Sequence, residues 1–284
     1  MSKLIAVIDG SAYSASVCEH AAWIANRANS EVEVVHVLGR RDVSSEPSNL
    51  SGSIGLGARS ALLSELAELD AQKARLAQKR GRAILVDAEK LLSERSVQAI
   101  HTRLRNGEIV ETVQELGADA DLIVIGKRGE GADFDTLHLG SNLERVARST
   151  TKPVLVAARG FRPINRVLVA FDGGSSSLKA IEYFAQRAHY NDLKVHLLNV
   201  GTESTQMRRQ IEGAVAALQA GGYEASSEVQ AGQPETIIAN TVESESFDLV
   251  IMGAYGHSRI RNLIIGSTTT EMIRYCKVPV LLFR

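Results

Sequence analysis

The sequence predicts an α/β fold of two tandem domains, each built on a five-stranded, parallel, doubly wound sheet. Three observations predict it. The chain has 284 residues, 44% of them hydrophobic, which is enough for two domains with their own cores. Its two halves repeat one another. Within each half, apolar runs of strand length alternate with helical stretches, a pattern typical of parallel strands joined by crossover helices.

The repeat consists of three blocks that recur in the same order. Residues 4–10 (LIAVIDG) are echoed by residues 167–173 (VLVAFDG) at an offset of 163. Residues 121–126 (DLIVIG) are echoed by residues 248–253 (DLVIMG) at an offset of 127. Residues 153–156 (PVLV) resemble residues 279–282 (PVLL) at an offset of 126. The repeat predicts a first domain over residues 1–158 and a second over residues 164–284, with a short linker between them.

The offset falls from 163 at the first block to 127 at the second, so the first half contains 36 extra residues between these blocks. They are predicted to form a Ser/Gly-rich loop over residues 44–57 and a longer helix after it, through Leu62, Leu63, Leu66 and Leu69. The loop is either a mobile surface loop or a lid or partner-binding segment.

In the second half, strands are predicted near residues 166–171, 193–200, 224–230, 248–252 and 279–283. Helices are predicted near residues 176–188, 203–221, 234–245 and 267–275. The first of these helices has an apolar face at helical spacing that includes Ala180, Ile181 and Phe184. The runs at 122–125 and 249–252 are apolar throughout, so they should be central strands covered on both faces.

Composition disfavours several classes of function. A formal net charge of -1 supplies no bulk field for nucleic acid or an acidic membrane surface. The apolar runs fall well below the roughly 20 residues that span a bilayer, and the first residues lack a signal-peptide pattern, so a cytoplasmic location without membrane insertion is expected. The two cysteines, Cys18 and Cys276, form no metal-binding motif and are expected to be buried.

A glycine-containing loop follows the predicted strand at 248–252. It reads Gly253, two residues, Gly256, nine residues, then Gly266, Ser267 and Thr268. Glycines let backbone amides approach phosphate oxygens closely, and a helix starting at Ser267 aims unpaired N–H groups at the same place. The two hydroxyls can add further donors. The loop therefore predicts a phosphate-binding site.

Asp172 ends the first strand of the same half. In an open parallel sheet, ligands bind beyond the carboxyl ends of the strands where the winding reverses, so Asp172 should face the glycine loop across one crevice. Its carboxylate could accept hydrogen bonds from ribose hydroxyls or an adenine amine. The alternative is a turn residue that caps the next helix. Simple loop geometry is the corresponding alternative for the glycines.

With these residues the sequence resembles the universal stress protein family, tandem two-domain type. The second half matches the family's nucleotide motif at Asp172, Gly253, Gly256, Gly266 and Ser267. The resemblance implies Rossmann-like, adenine nucleotide alpha hydrolase-like domains that bind ATP. It also implies that the last strands, Val154–Ala157 and Val280–Phe283, pair internally in an intramolecular pseudo-dimer. Magnesium is expected with the ATP, and Arg259 or Arg261 is a candidate to reach the terminal phosphate.

The first half departs from this motif. Its second-choice site comprises Asp9, Gly126, Gly129, Gly140 and Ser141. Ten residues separate Gly129 from Gly140, and three acids among them repel a triphosphate. Residues 141–144 (SNLE) predict a capping box that brings the Glu144 carboxylate to the helix N-terminus. The first domain is therefore predicted to be degenerate or to bind something else.

Two other polar features of the first half each have two interpretations. Asp133, Asp135 and His138 are either a partial metal site or solvated loop residues, and no metal is assigned. His36 aligns with Asn199 and is either a polar residue at the nucleotide edge or a histidine whose ring is hydrogen-bonded to the backbone.

The favoured function is an ATP-binding regulator of the stress response, with ATP in the second domain and an unidentified protein partner. The alternatives are a slow ATPase and a nucleotide-independent scaffold. No carboxylate or histidine is placed as an obvious base for water, so no catalytic residue is assigned and at most weak ATP hydrolysis is expected. A homodimer of tandem chains is possible under any of these.

Overall fold

The structure, a computed structural model, describes residues 2–39, 56–129, 140–202, 204–254 and 266–284, with the backbone alone at 56–61 and 141. Its strands are β1 (Lys3–Ile8), β2 (Glu31–Leu38), β3 (Ile100–Asn106), β4 (Leu122–Gly126), β5 (Val154–Ala157), β6 (Arg166–Ala170), β7 (Lys194–Val200), β8 (Glu224–Gln230), β9 (Leu249–Gly253) and β10 (Val280–Phe283). Its helices are α1 (Ser14–Ala28), α2 (Leu56–Glu94), α3 (Ile109–Gly117), α4 (Ser141–Ser149), α5 (Ser175–Ala185), α6 (Thr205–Ala220), α7 (Pro234–Ser244) and α8 (Ser267–Tyr275).

The ten strands form one sheet in the order β3-β2-β1-β4-β5-β10-β9-β6-β7-β8. Within each half the five strands are parallel, and the order reverses direction between β1 and β4 and between β6 and β9. The predicted α/β class with two doubly wound halves is thus confirmed.

The two halves meet at an antiparallel strand pair. Val154, Leu155 and Val156 of β5 lie opposite Leu282, Leu281 and Val280 of β10. All four residues of each strand are buried. The sheet therefore continues from one half into the other, as the resemblance implied for these strands.

Each face of the sheet is covered by helices from both halves. Helices α1, α2, α5 and α6 bury their apolar side chains against one face. Helices α3, α4, α7 and α8 cover the other. The central strands β4 and β9 are buried on both faces, which explains why their sequences are apolar throughout rather than alternating.

Two predicted boundaries are wrong. The helix expected over residues 176–188 ends at Ala185, and a short 3₁₀ helix, Ala188–Tyr190, follows. Buried Tyr190 explains the break, because its ring packs against Phe184 of α5 and stacks on Trp23 of α1. Helix α2 begins at Leu56, within the predicted loop at 44–57, and residues 40–55 lie outside the described part of the chain.

Helix α2 has 39 residues and consists of two unlike parts. Its second part buries Gly81, Leu85, Ala88 and Leu92 beside β2 and β3. Residues 62–80 contain no buried side chain. Across the described residues, no helix is at once long enough and apolar enough to cross a bilayer.

Candidate functional site

The candidate site lies where β6 and β9 end side by side. These strands are parallel neighbours, with Val169 opposite Ile251. Asp172 follows β6 by two residues, and Gly253 is the last residue of β9. Both therefore lie at the carboxyl edge of the sheet, at the point where the strand order reverses, as predicted.

The start of α8 is held against this edge by backbone and side-chain bonds. The Gly266 N–H donates to the Ala254 carbonyl oxygen at 3.1 Å, which closes the base of the loop after β9. The Thr269 hydroxyl donates to the Gly253 carbonyl oxygen at 2.9 Å. Helix α8 is thereby fixed with its N-terminus next to the end of β9.

The N-terminus of α8 has no side-chain cap among the described residues. Gly266 is the N-cap residue, and Ser267, the first helical residue, is exposed, while Thr268 is partly exposed. A helix leaves its first backbone N–H groups without intrahelical partners, and together they carry a partial positive charge. These groups and the two hydroxyls form a donor set that suits a phosphate group.

Asp172 organises the turn that opens α5. Its Oδ1 accepts a hydrogen bond from the Gly174 N–H at 2.9 Å and from the Ser177 hydroxyl at 2.7 Å. Asp172 is therefore a turn residue through this oxygen, whereas the N-cap residue of α5 is Gly174 and the helix has no side-chain cap bond among the described residues. The residue as a whole is exposed, so the turn fixes a carboxylate that solvent or a ligand can reach.

Of two polar residues near Asp172, Gln210 was not predicted from the sequence, whereas Asn199 was noted through its alignment with His36. Gly173 has a φ of +71°, and a Cβ added there would lie 2.7 Å from Gln210 Oε1, so the amide of α6 lies directly over this turn. The Asn199 side chain donates to the Phe171 carbonyl oxygen at 2.8 Å. Gln210 stands where the first half has Ile84, which lies over Gly10 in the same way. The repeat offset of 127 aligns Gln210 with Ala83, so the repeat carried no signal for it.

Part of the predicted site lies outside the described residues. Gly256 and Arg259 fall within residues 255–265, as does Arg261. Asp133, Asp135 and His138 of the first half fall within residues 130–139. Among the residues that the structure describes, no group of three or more His, Cys, Asp or Glu side chains could hold a metal ion.

The first half repeats this framework. The Gly140 N–H donates to the Lys127 carbonyl oxygen at 3.4 Å, and α4 begins at Ser141 with Gly140 as its N-cap residue. His36 is buried and its Nδ1 lies 2.9 Å from the Ile8 carbonyl oxygen, the same contact that Asn199 makes in the second half. His36 is thus satisfied by backbone.

Three side chains of the first half lie close to the glycines of its own crevice. A Cβ added to Gly126 would lie 2.8 Å from Tyr13 Cβ, and one added to Gly129 would lie 2.8 Å from Asp9 Oδ2. Ile84 lies over Gly10, where the second half has a polar Gln210. An aromatic ring, a carboxylate and an aliphatic chain thus occupy the positions around the glycines of this half.

The capping box predicted for α4 is wrong. The helix begins one residue earlier than that motif requires, so Ser141 is its first helical residue and not its cap. Glu144 pairs with Arg148, one turn further along, at 2.8 Å. Its carboxylate therefore does not reach back to the helix N-terminus.

Lys127 joins the first half's glycine loop to the second half. Its Nζ donates to the Cys276 carbonyl oxygen, at the C-terminal end of α8, at 3.1 Å. Burial, and after it the positive charge of Arg128, lower the pKa of Lys127 from 10.5 to about 8. The corresponding residue of the second half is Ala254, which is buried.

Comparisons with known proteins agree with this architecture. The sequence model of the universal stress protein family matches residues 1–158 and 163–284. A universal stress protein from Synechocystis sp. is 36% identical over 287 residues, which cover 100% of both chains. One from Bacillus subtilis is 31% identical over 146 residues, which cover 42% of this chain and 99% of that relative.

The fold is also similar to that of a solved structure. A universal stress protein from Archaeoglobus fulgidus has a TM-score of 0.75 at 19% identity, and the match covers 99% of this chain and 98% of that one. The repeated halves, the two matches to the family model and the full-length relative lead to one conclusion: the chain belongs to the universal stress protein family, as a tandem of two such domains.

Proposed function

We propose that this chain is a nucleotide-dependent regulator of the stress response that binds ATP in its second domain. The observation that carries the proposal is the N-terminus of α8, which begins after Gly266 without a side-chain cap and lies at the same sheet edge as the exposed Asp172. A donor set for phosphates and an acceptor for a sugar or base lie at one crevice, which suits a nucleotide.

Each group of the site would have one part of the ligand to hold. The backbone amides at Gly266 and the first turn of α8, with the Ser267 and Thr268 hydroxyls, would bind the phosphates. Asp172 would accept hydrogen bonds from the ribose or the adenine amine, and Gln210 would supply a further amide close by. Gly253 leaves the strand end without a side chain. Gly256 and Arg259 complete the proposed set, and Mg²⁺ would offset the triphosphate charge.

The proposal assigns no nucleotide to the first domain. Its loop contains one more residue and three acids, and Tyr13, Asp9 and Ile84 occupy the corresponding crevice. A triphosphate there would displace a packed side chain and lie beside like charges, both of which cost free energy.

The test is isothermal titration of Mg-ATP into protein stripped of copurified nucleotide. One site per chain is expected. Gly266→Glu should weaken binding at least tenfold, which corresponds to about 1.4 kcal/mol, because it places a carboxylate where the phosphates bind. The backbone at Gly266 has φ -56° and ψ 146°, which any residue adopts, so this variant should fold.

Gly140→Glu is the matched control, because Gly140 is the N-cap residue of α4 and also has an unstrained backbone, with φ -60° and ψ 125°. It should bind Mg-ATP as the wild type does. Two sites in the wild type would contradict the assignment to one domain, and no binding by folded protein would favour the scaffold. Release of inorganic phosphate that Gly266→Glu abolishes would favour the slow ATPase.

A further inference from the structure

The first part of α2 buries none of its described side chains. A helix of 39 residues is about 58 Å long at 1.5 Å per residue. Residues 62–80, which make up nearly half of it, contain no buried side chain. Most helical stability in proteins comes from packing an apolar face, so a long uncovered helix is a candidate for an intermolecular contact.

This part of α2 carries a leucine stripe, which comprises Leu62, Leu66, Leu69 and Leu76. Their spacing of four, three and seven residues is that of the a and d positions of a coiled coil. Leu69 is 57% exposed and Leu76 is 68% exposed. The stripe is rotated by about 100° from the face that α2 buries further along, so it does not continue the domain core.

Charge divides the same segment into two halves of opposite sign. Residues 62–70 contain Glu65, Glu68 and Asp70 and no basic residue. Residues 71–82 contain five basic residues and no acid: Lys73, Arg75, Lys79, Arg80 and Arg82. In a parallel pair of identical helices, like charges would oppose one another. In an antiparallel pair, each acidic half would lie along a basic half.

We infer that residues 62–80 of α2 pair antiparallel with the same residues of a second copy of this chain, in a two-stranded coiled coil. The segment is complementary to itself in both apolar pattern and charge, which is what a two-fold symmetric contact requires. The leucine stripes of the two copies would form the seam, with the stem of Lys73 between Leu69 and Leu76. The contact is separate from the nucleotide site and from the β5–β10 pair.

Sedimentation velocity of the full chain over a range of concentrations tests the inference. The wild type should sediment as two chains. The double variant Leu69→Glu with Leu76→Glu should raise the dimer dissociation constant at least tenfold and sediment as one chain. The control is Val86→Glu, which changes a residue that is 62% exposed on α2 but lies about a third of a turn away from the stripe. It should remain a dimer.

Charge reversal tests the orientation. Glu65→Lys with Glu68→Lys leaves Asp70 as the only acid in residues 62–80, and Arg75→Glu with Lys79→Glu leaves two basic and two acidic residues at 71–80. Each variant alone should be monomeric, and an equimolar mixture should form a heterodimer. A monomeric wild type, a dimer that survives both leucine substitutions, or a mixture that stays monomeric would each overturn the inference. Circular dichroism verifies that every variant is folded.

Discussion

At the residue scale, the clearest difference between the halves is that the first has Lys127 where the second has Ala254. The lysine ammonium is removed from much of its water, and its neighbours are the Cys276 carbonyl oxygen and Arg128. Burial of a charge with one hydrogen bond does not replace its hydration, which is why its pKa is lowered.

The lowered pKa of Lys127 predicts the direction in which folding stability changes with pH. Between about pH 8, the pKa in the folded chain, and pH 10.5, the ordinary value, the unfolded chain binds more protons at Lys127 than the folded chain does. Stability therefore rises with pH across this window, relative to Lys127→Met. Urea unfolding of both proteins at a series of pH values measures the difference.

Lys277→Met is the control, because it removes an exposed lysine that pairs with Glu243 at 2.9 Å. Burial raises the pKa of the Cys276 thiol from 9.0 to about 11, so this group also titrates differently in the two states, but it is present in all three proteins and its contribution cancels from the differences between them. A stability difference between wild type and Lys127→Met that stays constant from pH 8 to pH 10.5 would show that the ammonium is not desolvated.

Residue roles could be predicted where the repeat supplied a comparison. The equivalence of His36 and Asn199 followed from the offset, and both contact the carbonyl oxygen at the end of the neighbouring strand. The role of Glu144 could not be predicted in the same way. A Ser-x-x-Glu pattern allows either a capping box or a pair with Arg148, and the position of the first helical residue decides between them.

At the element scale, two glycines within helices differ in how closely the rest of the protein packs against them. Gly213 of α6 is exposed, and a Cβ there would meet no atom within 4 Å. Gly81 of α2 is buried, and a Cβ there would lie 2.7 Å from Leu104 and 3.0 Å from His36. The first glycine only weakens its helix, whereas the second lets α2 lie close to the sheet.

Gly213→Ala should therefore stabilise the protein by about 0.5 to 1 kcal/mol, the ordinary helix-propensity gain. Gly81→Ala should show no such gain, because its methyl group must push against Leu104 and the His36 ring. Urea unfolding of the two single variants compares them directly. An equal gain for both would mean that α2 can move away from β2 and β3 without cost.

The bounds of strands and helices could be predicted where the apolar pattern of the sequence coincides with the residues that pack in the core. The predicted strands of the second half lie within one residue of β6 to β10. In four of them the apolar runs also form the core, whereas β8 is a largely exposed edge strand. The end of α5 was missed because Tyr190 is buried by Trp23 and Phe184, contacts that depend on the other half and on a later turn. Such a boundary is set by tertiary packing and leaves no local signal.

At the scale of the whole molecule, the two halves are packed into one continuous structure. One sheet runs through both, and each hydrophobic cluster contains residues from both. Arg27 of α1 also pairs with Asp192 of the second half, with Nη2 and Oδ2 2.8 Å apart. Continuous packing of this kind couples the unfolding of one half to that of the other.

Differential scanning calorimetry should therefore show one cooperative transition for the full chain, with equal calorimetric and van't Hoff enthalpies. Ile123→Ala, a substitution buried in the first half, should move the whole transition to lower temperature, since it costs about 2 to 5 kcal/mol. Two separated transitions, of which the substitution moves only one, would show that the halves unfold independently.

The architecture could be predicted from the repeat and the apolar runs, but the β5–β10 contact could not. The runs in β5 and β10 only showed two buried strands, and their pairing came from the family resemblance. When two strands so far apart in the chain pair antiparallel, neither strand's own sequence indicates its partner. The site was predictable in outline because glycines and Asp172 stand at strand ends, whereas Gln210 lies mid-helix and its position depends on how α6 packs.

The β5–β10 contact also affects how the sequence can evolve. In a dimer of identical subunits, every substitution appears twice, on both sides of the symmetry axis, and must be tolerated in both places. Here the two sides are encoded separately, so a lysine can stand at 127 while an alanine stands at 254. Covalent fusion thus lets the two copies change independently, so that the first can carry Ile84 over its turn glycine and a lysine bonded to its neighbour, while the second has Gln210 and Ala254 at those positions.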